Sequence, residues 1–265
     1  MAISRRAFLG AATAAVCSLP ARPIWAAPTI AEQIAVVPET HPFLPAMKMA
    51  AEAYEAVSRI DGYEATFIKN ELIGRQMLSS QCTVKVRHNP FSVYMKYVTP
   101  HEGREVIYVE GQNNGNMLAH ETGFASLIGT VTVAPTDRRA LDENRYPITS
   151  FGMKNMAHGV LVALLGDKTG EGGTVNLFPK AKIGDVACRA IEMSYAKPAP
   201  GRLFQSCRLY LEATTSLPIR IQNYAFPQRR NEAPQLVEDY FFTAVKTNVA
   251  LVAQDFDVNN PRYNY

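Results

Sequence analysis

Apolar and polar residues alternate with a period of two through most of residues 62–121. Tyr63-Glu64-Ala65-Thr66-Phe67-Ile68 and Cys82-Thr83-Val84-Lys85-Val86-Arg87 are the clearest runs. Asn89-Pro90 breaks the pattern, and Phe91 to Val98 resumes it. Pro100-His101-Glu102-Gly103 then leads into Arg104–Glu110, and Gly111-Gln112-Asn113-Asn114-Gly115 leads into Asn116–His120. Strand-like runs split by short Gly, Pro and Asn turns predict an antiparallel meander of about five strands, one face buried and one solvated.

The period changes to helical on either side of this block. Leu44, Met47, Ala50, Tyr54, Val57 and Ile60 predict a helix over 43–60, stopped by Gly62. Ser150 reads as the N-cap of a second helix carrying Met153, Met156, Val160, Leu161, Leu164 and Leu165, ended by Gly166 and Gly170. Residues 27–42 show no period and read as a leader, and 122–149 are weakly patterned. Further strands are expected at 174–178, 185–194, 203–212, 217–225 and 236–247. The fold class is therefore α+β. One domain over 43–265 holds a large curved antiparallel sheet of roughly nine or ten strands, helices packed on its concave face. Such a sheet, apolar inside and closed by helices, makes a pocket. Val84, Val86, Val93, Met95, Tyr97, Ile107 and Val109 are the strand residues expected to face it.

The N-terminus changes where such a protein works. Ser4-Arg5-Arg6-Ala7-Phe8-Leu9 has the form of a twin-arginine export signal. The apolar stretch from Phe8 to Leu19 falls short of the about 20 residues that span a bilayer. Ile24-Trp25-Ala26 places cleavage after Ala26, so residues 1–26 are a signal peptide and the location is periplasmic. That segment carries Arg5, Arg6 and Arg22 and no acid, so 24 basic side chains remain against 24 Asp plus Glu. A balanced chain has no electrostatic basis for binding nucleic acid.

Cys17 falls within the signal, leaving Cys82, Cys188 and Cys207. Outside the cytoplasm disulfides persist. Cys188 and Cys207 flank the Pro198-Ala199-Pro200-Gly201 loop almost symmetrically, which predicts their pairing across a hairpin and a free thiol at Cys82.

Catalytic motifs are missing. There is no H-E-x-x-H, G-x-S-x-G, G-x-x-x-x-G-K or C-x-x-C, and no cofactor is expected. His88 and His120 with a carboxylate are the only candidate metal set, and their spacing does not favour it. Glu102, Glu105 and Glu110 read as solvated or ion-paired. Tyr94, Tyr97 and Tyr108 interleave with Arg87, Lys96 and Arg104 like a stacking platform, yet aromatics are ordinary strand residues.

Lys85-Val86-Arg87-x-x-Pro90-Phe91-x-Val93-Tyr94-Met95-Lys96 and Pro100-x-x-Gly103-Arg104-Glu105-Val106-x-Tyr108-Val109-x-Gly111 resemble an exported bacterial family of unknown function, DUF1571-like. Glu238-Asp239-Tyr240 and the closing Asp255-Phe256-Asp257 with Asn260-Pro261-x-Tyr263 resemble it too. More distantly, the layout is similar to periplasmic lipoprotein carriers of the LolA type. That likeness implies an unclosed β-barrel with helices over a greasy cavity, and a lipid or acyl chain as ligand.

The expectation is thus a periplasmic binding or carrier protein for a lipid, acyl chain or other apolar small molecule, without catalysis and with transient membrane contact. The alternatives are an envelope sensor or adaptor that binds a protein partner, and a hydrolase using Tyr94, Arg104, Glu105 or His120. Replacing Arg5 and Arg6 together by lysine is expected to stop export. Cell fractionation and immunoblotting check this, and normal periplasmic levels of the variant would refute the signal.

Overall fold

The computed structural model describes residues 27–123, 127, 129–229 and 231–265; the twin-arginine motif, Cys17 and the cleavage site lie outside the described residues. The alternating runs become β1 (Gly62–Ile73), β2 (Gln76–His88), β3 (Phe91–Thr99), β4 (Glu105–Val109) and β5 (Met117–His120). A short strand, β6 (Thr130–Val133), follows in the weakly patterned stretch. The second half supplies β7 (Gly173–Ile183), β8 (Val186–Tyr195), β9 (Ser206–Glu212), β10 (Pro218–Ala225) and β11 (Gln235–Lys246).

All lie in one 11-stranded sheet ordered β6-β5-β4-β3-β2-β1-β11-β10-β9-β8-β7. Every pairing is antiparallel, and every pairing except β1 with β11 joins strands consecutive in sequence. The sheet is an unclosed barrel: its free edges are β6 and β7. Those edges are also consecutive, so residues 134–172 must run from one edge to the other across the open side.

Among the described residues four α-helices accompany the sheet: α1 (Ile30–Ala35), α2 (Leu44–Ser58), α3 (Arg138–Leu141) and α4 (Met153–Gly166). The supposed leader thus contains α1. A reciprocal capping box starts it: Thr29 Oγ1 accepts from the Glu32 amide at 3.3 Å, and the Glu32 carboxylate accepts from the Thr29 amide at 2.7 Å. α2 and α4 pack on each other through Ala46, Ala50, Ala53 and Ala157, whose small side chains allow close approach. Together they cover Ile191, Leu209, Leu211 and Ile221 on the inner face of β8–β10.

The N-cap of α4 is Gly152 at φ 102°, not Ser150, which ends a short 3-10 turn over Ile148–Ser150. No cap side chain serves the helix there. The fully buried Tyr63 hydroxyl, reaching from β1, accepts from the Met153 amide at 3.0 Å instead.

Residues 251–265 strap the outer face of β2–β4. Phe256 packs with Tyr94, Ile107 and Val109, and Tyr263 stacks on Tyr94 with centroids 4.1 Å apart. Lys85 bonds Asp255 at 2.6 Å, and Arg87 lies over the Phe256 ring at 4.9 Å. The closing residues that mark the family resemblance are therefore a second, outer core.

The expected Cys188–Cys207 disulfide is corrected. Both are free thiols, Cys188 lying opposite Glu212 and Cys207 opposite Met193. The β8–β9 hairpin folds about residue 200, further along than the loop composition indicated, so the cysteines miss each other by five positions of register.

Tyr63→Phe removes the acceptor for a buried amide while keeping the ring. It is expected to lower stability by about 1–3 kcal/mol, read as a lower urea midpoint at an unchanged slope.

Candidate functional site

The wing formed by β1–β6 turns an apolar inner face toward the barrel interior, and the two long helices do not fill it. Register explains which residues line it. Phe67 of β1 pairs with Phe242 of β11 on one side and Cys82 of β2 on the other, and Cys82 pairs with Tyr97. Met95 pairs with Val106, Val106 with Ala119, and Ala119 with Val131. Met117 pairs with Val133. Phe67, Phe242 and Phe151 form an aromatic floor, with Phe67–Phe242 centroids 4.8 Å apart and Phe67–Phe151 4.9 Å apart.

Opposite this wall lie Met156, Val160 and Leu164 of α4 and the flanking segments at 147–151 and 199–204. The cavity, open on one side, has a volume of about 1120 Å³. Ligand pockets for small molecules usually run to roughly 300–1,000 Å³. Val162 and Leu203 line it too, 56% and 78% exposed, and they mark an apolar mouth.

A polar row crosses the cavity where β11 meets its neighbours. Glu238 Oε1 accepts from Arg145 Nε and from the Tyr146 hydroxyl, each at 2.7 Å, and its Oε2 accepts from Asn223 Nδ2 at 2.7 Å. Glu71 accepts from the Tyr240 hydroxyl and from the Arg145 amide, and lies 3.2 Å from Lys69 Nζ. Lys69 also donates to the Glu143 carbonyl at 2.7 Å. Residues 143–146 are thereby latched to the sheet by polar contacts.

The carboxylates along the wall are all paired, and of the described lining cations only the exposed Lys168 has no carboxylate partner. Among the described residues, Lys69, Arg104, Arg139, Lys168 and Arg202 line the cavity with Glu71, Glu121, Glu143, Asp167 and Glu238. Arg104 holds Glu121 at 2.7 Å and Glu143 at 2.9 Å, and Arg202 holds Asp167 at 3.3 Å. Burial alone would raise the Glu143 carboxyl, but Arg104 and His101 outweigh it and hold it below the ordinary range. Asp167 is also held low: the Tyr195 hydroxyl, the Gly170 amide and Arg202 outweigh burial. Burial pushes the Cys82 thiol up to about 12, against Lys69 and Arg104. Burial and the Glu238 carboxylate push Cys207 up to about 12. Both cavity thiols therefore stay protonated at neutral pH and are poor nucleophiles.

The expected lining residues divide three ways. Met95 and Tyr97 line the cavity. Val84, Val86 and Val93 face the same way but are packed with Met153, Val57 and Tyr63, where the ends of the helices close the barrel. Ile107 and Val109 lie on the other face, beneath the C-terminal strap. The reason is parity. The Pro100–Gly103 turn pairs odd-numbered β3 residues with even-numbered β4 residues, so Val106 faces inward and Ile107 outward.

The same parity splits the tyrosine platform. Tyr97 is inside with Arg104 over its ring at 5.4 Å, while Tyr94 is outside and already stacked by Tyr263. Of the hydrolase candidates, Glu105 and His120 pair on the outer face, where Glu105 is fully buried and accepts from the Asn264 amide at 3.1 Å. Arg104 lines the cavity, apart from them. His88 Nδ1 donates to the Ile60 carbonyl at 2.9 Å, and burial lowers its pKa. Among the described residues no group of three or more His, Cys, Asp or Glu is placed to hold a metal ion. Phe67, Val106, Met117, Val133 and Phe242 were not anticipated; the alternation contained them, but only the cross-strand register selects them.

Residues 60–265 match the model of a family described as "Protein of unknown function (DUF1571)". No curated protein matches the chain. Solved structures with a similar chain course include MucB, with 13% identity over 80% of this chain and 62% of that one, TM-score 0.46. Mycobacterium tuberculosis lipoprotein LppX is 12% identical over 77% and 98% of the two chains, TM-score 0.44. A LolA superfamily protein from Nitrosomonas europaea is 10% identical over 80% and 97%, TM-score 0.34. None is similar enough to lend this chain an activity.

The low-lying Asp167 makes a pH prediction. A carboxylate whose folded pKa is depressed stabilises fully above its unfolded value, and loses that contribution as pH falls through the folded one. The stability gap between wild type and Asp167→Asn is expected to be full at pH 7 and to close below about pH 4. Thermal melts at stepped pH check this; a gap that widens on acidification contradicts the assignment.

Proposed function

Because the chain belongs to the DUF1571 family, whose description carries no activity, we propose from the cavity itself that it binds or carries a lipid, acyl chain or other apolar molecule in the periplasm, without catalysis. One observation carries this reading: an apolar wall of β1–β6 lines an open cavity of about 1120 Å³ that neither α2 nor α4 fills. Protein interiors are otherwise close-packed, and an apolar lining left facing water in so large an open cavity forfeits contacts along its length. An apolar guest restores them. The exposed Val162 and Leu203 at the mouth suit transfer from a membrane or another carrier.

A second reading has its own observation. Leu177 and Phe178 are 59% and 39% exposed on β7, an edge strand with unpaired backbone groups. Such an edge suits a protein partner that adds a strand, and the protein would then act as an envelope sensor or adaptor.

Native mass spectrometry of protein purified from its own periplasm tests the carrier reading. A retained lipid is the expected result. Met95→Gln puts an amide into the cavity wall and is expected to weaken lipid retention roughly tenfold while the fold is kept. Wild-type protein that arrives empty, and takes up no lipid after extraction and re-exposure, would leave the adaptor reading standing alone.

A further inference from the structure

The charges around the cavity say what kind of guest it takes. Five basic and five acidic side chains line it among the described residues, so its wall carries no formal net charge. Each of the five acids lies within 3.3 Å of a basic partner. The cation nearest the polar row, Lys69, is spent on Glu71, the Glu143 carbonyl and Asn144. Tyr240 and Tyr146 aim their hydroxyls at the carboxylates rather than at the open volume.

A phosphate or carboxylate head drawn into this space would lose its water. It would meet two buried carboxylates, and the nearby cations are already engaged. A cationic head would meet carboxylates whose oxygens are filled by Arg145, Tyr146, Asn223 and Tyr240. Either charge would be buried without a new partner, which is costly. An uncharged molecule avoids that cost and still gains the apolar wall.

Resting on the carrier reading above, we propose that the guest is an electrically neutral lipid, of the acylglycerol, ester or long-chain alcohol kind, and that the paired charges of the wall select against charged headgroups. The selection works by exclusion: beside the buried polar row the wall offers no unpaired counter-charge, and Lys168, the one described lining cation held by no carboxylate, donates to the Leu165 carbonyl at the exposed rim.

The test uses three lipids with the same sixteen-carbon acyl chain: monopalmitin, palmitoyl-lysophosphatidylglycerol and palmitoylcholine. Each displaces a pyrene-labelled acylglycerol from the delipidated mature protein at neutral pH, below the concentration at which it forms micelles. Monopalmitin is expected to bind at least about tenfold tighter than either charged lipid. Equal or tighter binding of a charged lipid overturns the neutral-guest proposal and leaves the carrier reading intact. Failure of all three lipids, and of the probe itself, removes the carrier reading and this proposal with it.

A variant checks the cause. Glu143 is 45% exposed, so Glu143→Gln is compatible with folding, and it leaves Arg104 with one carboxylate fewer. The ratio of monopalmitin to anionic-lipid affinity in the variant is expected to narrow by about threefold or more relative to wild type. If the variant folds and the gap does not move, charge balance does not set the selectivity, and the proposal fails.

Discussion

The pairing of β1 with β11 is the constraint on which the molecule depends. Every other strand pairs with its neighbour in sequence, so each of those contacts closes a short loop. β1 and β11 bring together residues such as Phe67 and Phe242 from opposite ends of the chain. That join carries the largest loop-closure cost in the sheet, and its register decides which inner residues meet. A slip of one position would turn Phe67, Lys69 and Glu71 away from the interior. The chemistry resists such a slip. In register, Phe67 meets Phe242, Glu71 accepts from Tyr240, and Glu238 gathers Arg145, Tyr146 and Asn223. Out of register, buried carboxylates would lack donors, at a cost of several kcal/mol each.

The cavity follows from that topology. With β1 and β11 central, the free edges are β6 and β7, and the chain between them has to cross the open side. α4 lies on this crossing and packs against α2 through alanines, over β8–β10. The helices are thus committed to one wing. The inner face of β3–β6 receives only the polar-latched segment around 143–146 and the rim of α4. Space is left over because the helices are held elsewhere by well-packed apolar contacts.

Much of this architecture was legible in the sequence. Strict alternation identified the five strands of the first meander, and helical spacing identified α2 and α4, because both patterns reflect burial of one face. Three other features needed information that periodicity lacks. α1 is announced by the Thr29-x-x-Glu32 box, a capping signal rather than an apolar one. The inward residues of β4 depend on how many residues the Pro100–Gly103 turn holds, and counting alternation within one strand cannot supply that. The cysteine pairing failed for the same reason: composition located the β8–β9 loop, but not the residue about which it folds. Sequence periodicity gives faces, whereas turns give register, and a site built across five or six strands is a matter of register.

Emptying the inner side of a sheet leaves its strands short of partners, and β4, β5 and β6 are short already. The structure meets that weakness from behind. Tyr94, Ile107 and Val109, on the face away from the cavity, are covered by Phe256, Tyr263 and Tyr265 of the C-terminal strap. Asp255 fastens the strap through Lys85, and the fully buried Glu105 pairs with Lys96 and accepts from the Asn264 amide. The wing therefore has a dry core on its outside, which allows its inside to remain hollow. The last fifteen residues do not touch the proposed guest, yet the cavity depends on them: without an outer core, a three-stranded flap of four- and five-residue strands would have only a void to pack against. A guest in the cavity and the strap behind it support the same strands from opposite faces, so binding on one side adds to the stability supplied by the other.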